Sequence, residues 1–514
     1  MVTDLQSAVR KIASTNPATG EGQSEFECAS EAEVQAAVAR AHAAQPAWAG
    51  LGVRQRIAVL REFQGRLHRK KSEIAALVTR EAGKPYVEAL LTEVLVVLDA
   101  ARFLIDNAYR LLRDEPVPHG NPAMKTKSGR LVREPYGVIG IISPWNYPFS
   151  IPATESLAAL VAGNVVVLKP SEFTPLTAME LATLLHQAGV PEEVFQVVLG
   201  DGATGAALVN SALDKMVFTG SVPTGRRIAQ SSAARLLPVV LELGGKDPML
   251  VLDDADIEIA SRGAVWGAFV NAGQACLSVE RCYVHRGLYE PFLEACVRHT
   301  RQLRVGNGID PMTDVGPLIH QRQLLNVEAQ VEESQAQGAR LLAGGKRLPD
   351  IGGNYYAPTV WADVTAQRRV EREAAFGPVL VGGRVSDLSF AAHLGLPQYR
   401  PLMLALAREG LAQAPVTPLP FDGFDPADLA GSLDRLVAFN RGSAKSHSGI
   451  DRDLMVRRRP TEVAEQIEVL AGPLTHYVGE LIRAIERGER TCQVENLDLL
   501  VAYERLERLG RPLN

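Results

Sequence analysis

The sequence has 514 residues, of which 46% are hydrophobic and 22% are charged, a composition typical of globular proteins rather than of disordered or membrane proteins. Its length predicts about two to four structural units. Because the formal net charge is −5, a basic surface for nucleic acid or for acidic membrane lipids is not expected.

The five cysteines are scattered and show no C-x-x-C spacing. This pattern argues against a disulfide framework and against a zinc site, so no metal is expected. The first residues lack a basic region followed by an apolar run, and nowhere do about 18 apolar residues follow one another. We therefore expect a cytoplasmic protein that acts on small molecules and does not contact membranes.

Several helices are predicted within residues 31–113. Apolar residues recur there at helical spacing, as in Ile57, Leu60, Phe63 and Leu67, and charged residues lie between them. Each of these helices should bury one face.

Strands and helices alternate after Gly137 to Ile142, which is itself a predicted strand. The further predicted strands are 164–168, 194–199, 215–218 and 239–241, and the predicted helices are 177–188 and 224–231. Their near-continuous runs of Val, Ile and Leu predict a parallel sheet covered by helices on both faces. Sheets of this kind bind ligands at the carboxyl ends of their strands.

A second α/β stretch is predicted from about residue 248 to 379. Its strands are 249–252 and 281–284, and its helices are 288–304 and 321–338. Cys276 would lie near the junction of the two α/β stretches, where clefts commonly form. After about residue 384 only helical spacing remains, which predicts an all-α segment up to residue 514.

Five short motifs in one order connect these elements with chemistry. They are Pro144-Trp145-Asn146-Tyr147-Pro148, Leu168-Lys169-Pro170-Ser171-Glu172, Phe218-Thr219-Gly220-Ser221-Val222-Pro223-Thr224-Gly225, Leu241-Glu242-Leu243-Gly244-Gly245-Lys246 and Gly273-Gln274-Ala275-Cys276. In this order, over about residues 12–379, the chain resembles the NAD(P)-dependent aldehyde dehydrogenase superfamily. The resemblance implies oxidation of an aldehyde to a carboxylic acid, with an aldehyde as substrate and NAD(P)+ as cofactor.

Cys276 matches the nucleophile of that family. A thiolate adds to an aldehyde carbonyl, the thiohemiacetal loses hydride to a nicotinamide, and water hydrolyses the resulting thioester. By residue type alone, an unpaired cysteine is more often a small buried apolar residue. We interpret Cys282 and Cys296 in that way.

Three other residues match catalytic positions of the family. Glu242 matches the general base for the hydrolytic water, although a glutamate after a strand is otherwise a solvated strand end. Asn146 matches the side chain that binds the oxyanion together with the backbone N–H of Cys276, although it could simply belong to a turn. Lys169 also matches a catalytic position of the family.

The resemblance also implies a cofactor site at the strand ends. Lys169 and Glu172 would bind the adenosine ribose, and because a carboxylate there repels a 2′-phosphate, NAD is favoured over NADP. Gly220, Ser221 and Gly225 would let a helix N-terminus approach the pyrophosphate. The other implied cofactor-binding residues are Trp145, Ser171, Gly200, Leu243, Gly244 and Phe376.

The chain departs from the family pattern in the segment that ends at Phe376. The family carries a glutamate two residues before this Phe, where it binds the nicotinamide ribose, but this chain has Ala374 with Glu373 beside it. Weak NAD binding and slow hydride transfer are expected unless Glu373 takes over the role.

A larger departure follows at about residue 384. The family segment that completes the catalytic domain, forms the far wall of the substrate tunnel and adds a strand to a neighbouring subunit is missing. Residues 384–514 instead resemble the helical C-terminal domain of ketopantoate (2-dehydropantoate) reductases. Ser448, Asp453 and Glu462 would lie near substrate or cofactor there, although capping and surface roles are the commoner reading.

The fold class implied is α/β: a Rossmann-like parallel-sheet NAD-binding domain and a truncated α/β catalytic domain, followed by an all-α domain. The predicted boundaries are 1–122 and 145–243 for the NAD-binding domain, 123–144 for a strand segment resembling the family's oligomerisation element, 244–383 for the catalytic domain and 384–514 for the helical domain. A homo-oligomer is possible.

The sequence supports three functional hypotheses. The first is an NAD-dependent aldehyde dehydrogenase. The second is a catalytically impaired fusion that acts as a dinucleotide-binding or assembly protein. The third is a 2-dehydropantoate reductase-like protein. This third hypothesis is disfavoured because the chain lacks the Gly-rich cofactor domain of that reductase.

Overall fold

The computed structural model describes residues 10–117, 127–364 and 369–385. The all-α segment expected for residues 384–514, and with it the resemblance to ketopantoate reductases, lies outside the described residues from residue 386 on. Among the described helices, none is both long enough and apolar enough to cross a membrane.

The described residues form two compact units. One comprises residues 10–117, 127–247, 266–280, 300–364 and 369–381, and it contains every residue named above for the aldehyde dehydrogenase site. Ser448, Asp453 and Glu462 lie outside the described residues. The other comprises residues 248–265, 281–299 and 382–385. The domain boundaries expected from the sequence stay a prediction.

The first unit begins with an antiparallel hairpin and a group of helices. The hairpin strands are β1 (Lys11–Thr15) and β2 (Gly22–Glu27), and the helices are α1 (Glu31–Gly50), α2 (Val53–Arg69), α3 (Lys71–Ala82), α4 (Tyr86–Ala89) and α5 (Val96–Leu112). A π-helical turn, Leu90–Leu95, connects α4 to α5. Ile57, Leu60, Phe63 and Leu67, the apolar face predicted for α2, are all buried. This prediction is confirmed.

A five-stranded parallel sheet follows, as predicted. Its strands are β5 (Val138–Ile142), β6 (Val165–Lys169), β7 (Phe195–Val197), β8 (Lys215–Gly220) and β9 (Val239–Leu243), in the order β7-β6-β5-β8-β9. Before β5, a short antiparallel pair is formed by β3 (Glu115–Val117) and β4 (Gly129–Leu131). The helices between the parallel strands are α6 (Ser150–Val161), α7 (Pro175–Gln187), α8 (Gly202–Asn210) and α9 (Val222–Ala233).

The core of this unit lies on both sides of the parallel sheet. Val165 to Leu168 in β6 are fully buried, and they pack in one cluster with residues of α1, α6 and α7, including Trp48 and Leu160. The indole N–H of Trp48 also donates to the carbonyl oxygen of Leu160 at 3.0 Å. Burial on both faces explains why β6 reads as a continuous apolar run instead of an alternating one.

The remaining elements divide between the two units along the chain. They are β10 (Asp247–Val251), α10 (Ile257–Phe269), β11 (Val279–His285), α11 (Tyr289–Gln302), α12 (Gln321–Ala336), β12 (Arg340–Ala343), β13 (Thr359–Ala362), α13 (Arg369–Arg372) and β14 (Val379–Val385). In the first unit, β12 and β13 pair antiparallel. In the second unit, Cys282 and Cys296 are buried, in agreement with their interpretation as core residues.

A buried carboxylate joins three segments of the first unit. Glu81, in α3, accepts hydrogen bonds from the Ser14 hydroxyl at 2.9 Å, from the Leu176 N–H at 2.8 Å and from both the N–H and the hydroxyl of Thr177, at 2.8 and 2.6 Å. Burial raises the pKa of Glu81, and these four hydrogen bonds act against that effect. The side chain therefore ties β1 and the first turn of α7 to α3.

Glu81→Ala is expected to lower the free energy of unfolding by about 3 kcal/mol, because it leaves several buried donors without an acceptor. Urea unfolding measures the loss. Glu73→Ala, at an exposed position of the same helix, is the matched control and should change stability by less than about 0.5 kcal/mol. Equal effects of the two substitutions would contradict this account of Glu81.

Candidate active site

The predicted catalytic and cofactor residues from the parallel sheet gather at its carboxyl edge. Lys169 is the last residue of β6 and pairs in register with Ile142, the last residue of β5. On the other side of β5, Thr219 of β8 pairs with Glu242 of β9. Parallel strands end at one edge, so residues far apart in the sequence meet there.

Lys169 is buried at this edge, and Glu172 is its partner. The Lys169 Nζ atom lies 3.5 Å from Glu172 Oε2, and burial lowers the pKa of Lys169. The carboxylate of Glu172 is half-buried, and Ser171 Oγ accepts the N–H of Phe173 at 3.3 Å. The Lys169 ammonium and the Glu172 carboxylate thus form an ion pair at the end of β6.

The turn after β8 leads directly into α9. Ser221 precedes the helix, but its hydroxyl donates to Thr224 Oγ1 at 3.1 Å, so no side chain caps the first backbone N–H groups. A Cβ at Gly225 would lie 2.6 Å from a methyl carbon of Leu243, so a larger residue there would force the Leu243 side chain to move. The other predicted residues of this edge are Gly200 in the loop after β7, Gly220 at the end of β8, Leu243 at the end of β9 and the exposed Gly244 after it.

The chain before Cys276 has an unusual backbone. Asn271, Ala272 and Gly273 all have positive φ angles, of 52°, 54° and 73°. This conformation is costly for the two residues that carry a Cβ, and it persists only where surrounding contacts hold it. Gly273 could not carry a side chain, because a Cβ there would lie 2.0 Å from the carbonyl oxygen of Gly377.

Hydrogen bonds hold this loop against the segment that contains Asn146. Asn271 Nδ2 donates to the carbonyl oxygens of Asn146, at 2.9 Å, and of Gln274, at 3.0 Å. The buried Asn146 donates in turn from Nδ2 to the carbonyl oxygen of Gln274 at 3.0 Å, while the backbone N–H of Asn271 donates to Glu88 Oε2 at 2.8 Å. The Asn146 side chain is thereby held at Gln274, which lies two residues before Cys276 in the loop.

Cys276 itself is exposed, as is Glu242. Partial burial of its sulfur raises the pKa of the thiol, and the negative charges of Asp247 and Glu242 raise it further. The N–H groups of Cys276 and Leu277 donate to the sulfur and act in the opposite direction. The resting form at neutral pH is therefore the thiol, and a proton must leave it before it can act as a nucleophile.

Below the Asn146 segment lies a buried ion pair that sequence reasoning missed. Lys84 Nζ is 2.6 Å from Glu93 Oε1, and both side chains are fully buried. Glu93 Oε2 accepts the N–H groups of Phe149, at 3.2 Å, and of Ser150, at 2.7 Å, while the Lys84 ammonium lies 3.7 Å from the centre of the Tyr147 ring. The sequence carries no local signal for these contacts, since Lys84 lies in the loop between α3 and α4 and Glu93 in the π-helical turn, and charged residues at such positions are usually solvated.

A second buried carboxylate positions the segment around Phe376. Glu280 accepts the N–H of Ala375 at 2.8 Å and that of Phe376 at 3.2 Å, and its other oxygen lies 2.8 Å from Lys246 Nζ. Phe376 then meets Trp145 edge to face, with 5.4 Å between the ring centres. Two of the predicted cofactor-binding aromatic residues are thus in contact.

Glu373, next to the expected glutamate position, is engaged elsewhere. Its carboxylate is exposed and lies 2.7 Å from Arg369 Nε, one helical turn earlier. Ala374 is half-buried and offers no acceptor from its side chain. In this structure Glu373 is paired with Arg369, and the weak NAD binding expected from Ala374 stays a prediction.

Gly273→Ala is expected to destabilise the loop by about 2 kcal/mol or more, because the substitution demands a positive φ and a new contact with Gly377. Hydrogen exchange of the amides in residues 271–276, together with urea unfolding, measures this effect. Gly263→Ala, in α10, adds a Cβ into open space and is the matched control. A loop as well protected in Gly273→Ala as in the unchanged chain would contradict the prediction.

Comparison with known proteins connects this geometry with one family. The Aldehyde dehydrogenase family model matches residues 4–394. A betaine aldehyde dehydrogenase of Rhizobium etli is 39% identical over 372 residues, which are 72% of this chain and 75% of that protein. A betaine aldehyde dehydrogenase of Cereibacter sphaeroides is 40% identical over 365 residues, which are 71% of this chain and 74% of that protein.

Solved structures of similar proteins belong to the same family. An aldehyde dehydrogenase from Bacillus cereus in complex with NAD+ is 34% identical, with a TM-score of 0.71 over 75% of this chain and 78% of that one. An NADP-dependent enzyme from E. coli is also 34% identical, with a TM-score of 0.71 over 75% of this chain and 79% of that one. The chain therefore belongs to the aldehyde dehydrogenase family, and its reaction is the NAD(P)-dependent oxidation of an aldehyde.

Proposed function

We propose that Cys276 is the nucleophile of this oxidation. After losing its proton, the sulfur forms a bond to the aldehyde carbon, and the carbonyl oxygen takes up the negative charge. The proposal is supported by the exposure of Cys276 at the end of a strained loop that neighbouring hydrogen bonds hold in place. Strain of this kind is concentrated at functional sites.

Asn146 is proposed to stabilise the oxygen anion. Its amide group has two N–H donors, and one of them is engaged by the carbonyl oxygen of Gln274. The second can serve the anion together with the backbone N–H of Cys276. A pre-positioned donor of this type is worth about 3 kcal/mol of the barrier. The contact between Asn146 and Gln274 is the observation that carries this proposal, since it joins the donor to the nucleophile's own loop.

Glu242 is proposed to activate the water that hydrolyses the thioester on Cys276. Its carboxylate takes one proton from the water, whose oxygen bonds to the thioester carbon while the bond between carbon and sulfur breaks. The products are the carboxylic acid and the Cys276 thiolate. Exposure of Glu242 and the effect of its charge on the pKa of Cys276 support this role.

The cofactor site is proposed at the carboxyl edge of the sheet. Lys169 and Glu172 would bind the adenosine ribose, and the uncapped N–H groups at the start of α9 suit the pyrophosphate. When bound, the nicotinamide accepts the hydride. The carboxylate of Glu172 supports a preference for NAD, because it would repel a 2′-phosphate.

We propose a first substrate to test and keep the finer expectations from the sequence as proposals. The aldehyde to test first is betaine aldehyde, because relatives so named are 39% and 40% identical. Residues 384–514 are proposed to be a helical domain of the ketopantoate reductase type. A cytoplasmic location and a homo-oligomer likewise stay predictions.

The purified chain is expected to form NADH continuously from NAD and at least one aldehyde in a panel of betaine aldehyde, aliphatic aldehydes and aromatic aldehydes. Absorbance of NADH is the measurement. Cys276→Ala should abolish the signal, whereas Cys296→Ala, which alters a buried cysteine of the second unit, should keep it.

Three other outcomes would change the proposal. A single burst of NADH would mean that hydride leaves but the thioester is not hydrolysed. No NADH from a folded chain that binds NAD would favour the impaired fusion. Consumption of ketopantoate with NADPH would favour the reductase hypothesis.

Ala374→Glu is expected to strengthen NAD binding by about tenfold, because it adds a charged acceptor where the family binds the nicotinamide ribose. Titration calorimetry with NAD measures the change, and single-turnover NADH formation should become faster as well. Glu373→Ala is the matched control and should leave both quantities nearly unchanged. An Ala374→Glu variant with unchanged affinity and rate would contradict the role of this position.

A further inference from the structure

Four aromatic rings form a continuous row beside the proposed cofactor site. The ring centres of Phe173 and His320 are 4.3 Å apart, those of His320 and Trp145 are 6.0 Å apart, and those of Trp145 and Phe376 are 5.4 Å apart. Phe173 directly follows Glu172, the proposed ribose acceptor, whereas Phe376 ends the segment that the family places at the nicotinamide ribose. His320, which has no part in the mechanism above, therefore joins the two ends of this row.

His320 also caps the start of α12. Its backbone is extended, and its Nδ1 atom accepts the N–H of Gln323 at 2.9 Å. Burial lowers the pKa of His320, so the ring is neutral at neutral pH and Nδ1 can accept this hydrogen bond. A smaller side chain, such as that of serine or asparagine, would give the same cap. The cap alone therefore does not explain a half-buried imidazole at this position.

The first turn of α12 also holds the other end of the row. Phe376 has a positive φ of 49°, which is rare for a residue with a bulky side chain. Its N–H donates to Glu280 Oε1 at 3.2 Å, and its carbonyl oxygen accepts Gln323 Nε2 at 2.8 Å. The edge-to-face pair of Phe376 and Trp145 is thus held from α12 on both sides, through the Gln323 amide and through the His320 ring.

We propose that His320 is a positioning residue of the cofactor site, whose ring holds the indole of Trp145 against Phe376 so that the nicotinamide end of NAD is bound. This inference rests on the proposed cofactor site. Aromatic rings in contact stabilise each other beyond the effect of the area they bury. Without the imidazole, the Trp145 ring loses its contact on the side away from Phe376. We therefore expect the nicotinamide end of the site to loosen while the adenosine end keeps its geometry.

The test measures binding and does not depend on turnover. Titration calorimetry compares NAD with ADP, which carries the adenosine and the pyrophosphate but no nicotinamide. His320→Asn keeps a good N-cap and removes the ring. We expect this variant to bind NAD about threefold to tenfold more weakly and to change ADP binding by less than about twofold. Unchanged NAD binding, or an equal loss for ADP, would overturn the inference.

His320→Phe separates the ring from the cap. It keeps a ring beside Trp145 but loses Nδ1, while the N–H of Gln323 retains the backbone carbonyl oxygen of residue 320 as an acceptor, at 3.0 Å in this structure. We expect NAD affinity within about twofold of that of the unchanged chain and a lower urea midpoint, because a side-chain cap is lost. NAD binding as weak as in His320→Asn would overturn the inference. His68→Asn, at an exposed position of α2, is the matched control and should change neither quantity.

A double-mutant cycle tests whether His320 acts through Trp145. Trp145→Ala should itself weaken NAD binding. In that background, His320→Asn should weaken it by less than about twofold more, because the ring that it positions is already gone. Additive losses would mean that the two residues act separately, which would overturn the inference.

The same variants distinguish this inference from the proposed cofactor site on which it rests. If Trp145→Ala binds NAD as tightly as the unchanged chain, the proposed site is wrong at Trp145, and the inference fails with it. If Trp145→Ala weakens NAD binding but His320→Asn does not, the proposed site stands and only the role of His320 is overturned.

Discussion

The hydrogen bonds between Asn146 and the loop of residues 271–274 are the constraint on which the proposed chemistry depends. Asn271 and Ala272 adopt left-handed backbone conformations that cost free energy for residues with a Cβ. Two amide side chains offset that cost, since each bonds to a backbone carbonyl of the other's segment or of the loop itself. The strained loop and the segment after β5 are therefore held together as one arrangement.

Buried carboxylates support this arrangement from several directions. Glu81, Glu93 and Glu280 each accept backbone N–H groups from a segment that is distant in the sequence. Such a carboxylate replaces the water that the N–H groups lose on folding. In Glu81 and Glu280, these hydrogen bonds lower the pKa and so oppose the effect of burial. They act as fixed acceptors that set the position of α7, of α6 and of the segment around Phe376.

Glu155, in α6, differs from these three groups in one respect. Its hydrogen bond among the described residues comes from a side chain, the Thr219 hydroxyl, and not from a backbone N–H. Its ionisation is therefore poorly supported, and it responds to the charge of Glu242. Glu155 is thus bonded to one side chain, whereas the other three carboxylates hold backbone segments.

Much of the fold could be predicted from local pattern. The parallel sheet was predicted because strands buried on both faces read as continuous apolar runs, and the observed β5, β6, β8 and β9 lie within a few residues of the predicted strands. Helix α6 was not predicted, because its sequence follows a turn motif and is apolar nearly all round, so no helical face stands out.

The sequence by itself determined the family, the parallel sheet and the identity of the candidate nucleophile, because those depend on motifs and on spacing along the chain. Only the tertiary structure decided which acidic residues support the site. Glu280 and Ala375 are 95 residues apart, and Glu155 and Thr219 are 64 residues apart. No local pattern encodes such pairs, since a hydrogen bond between distant residues exists only after the sheet and its helices have packed.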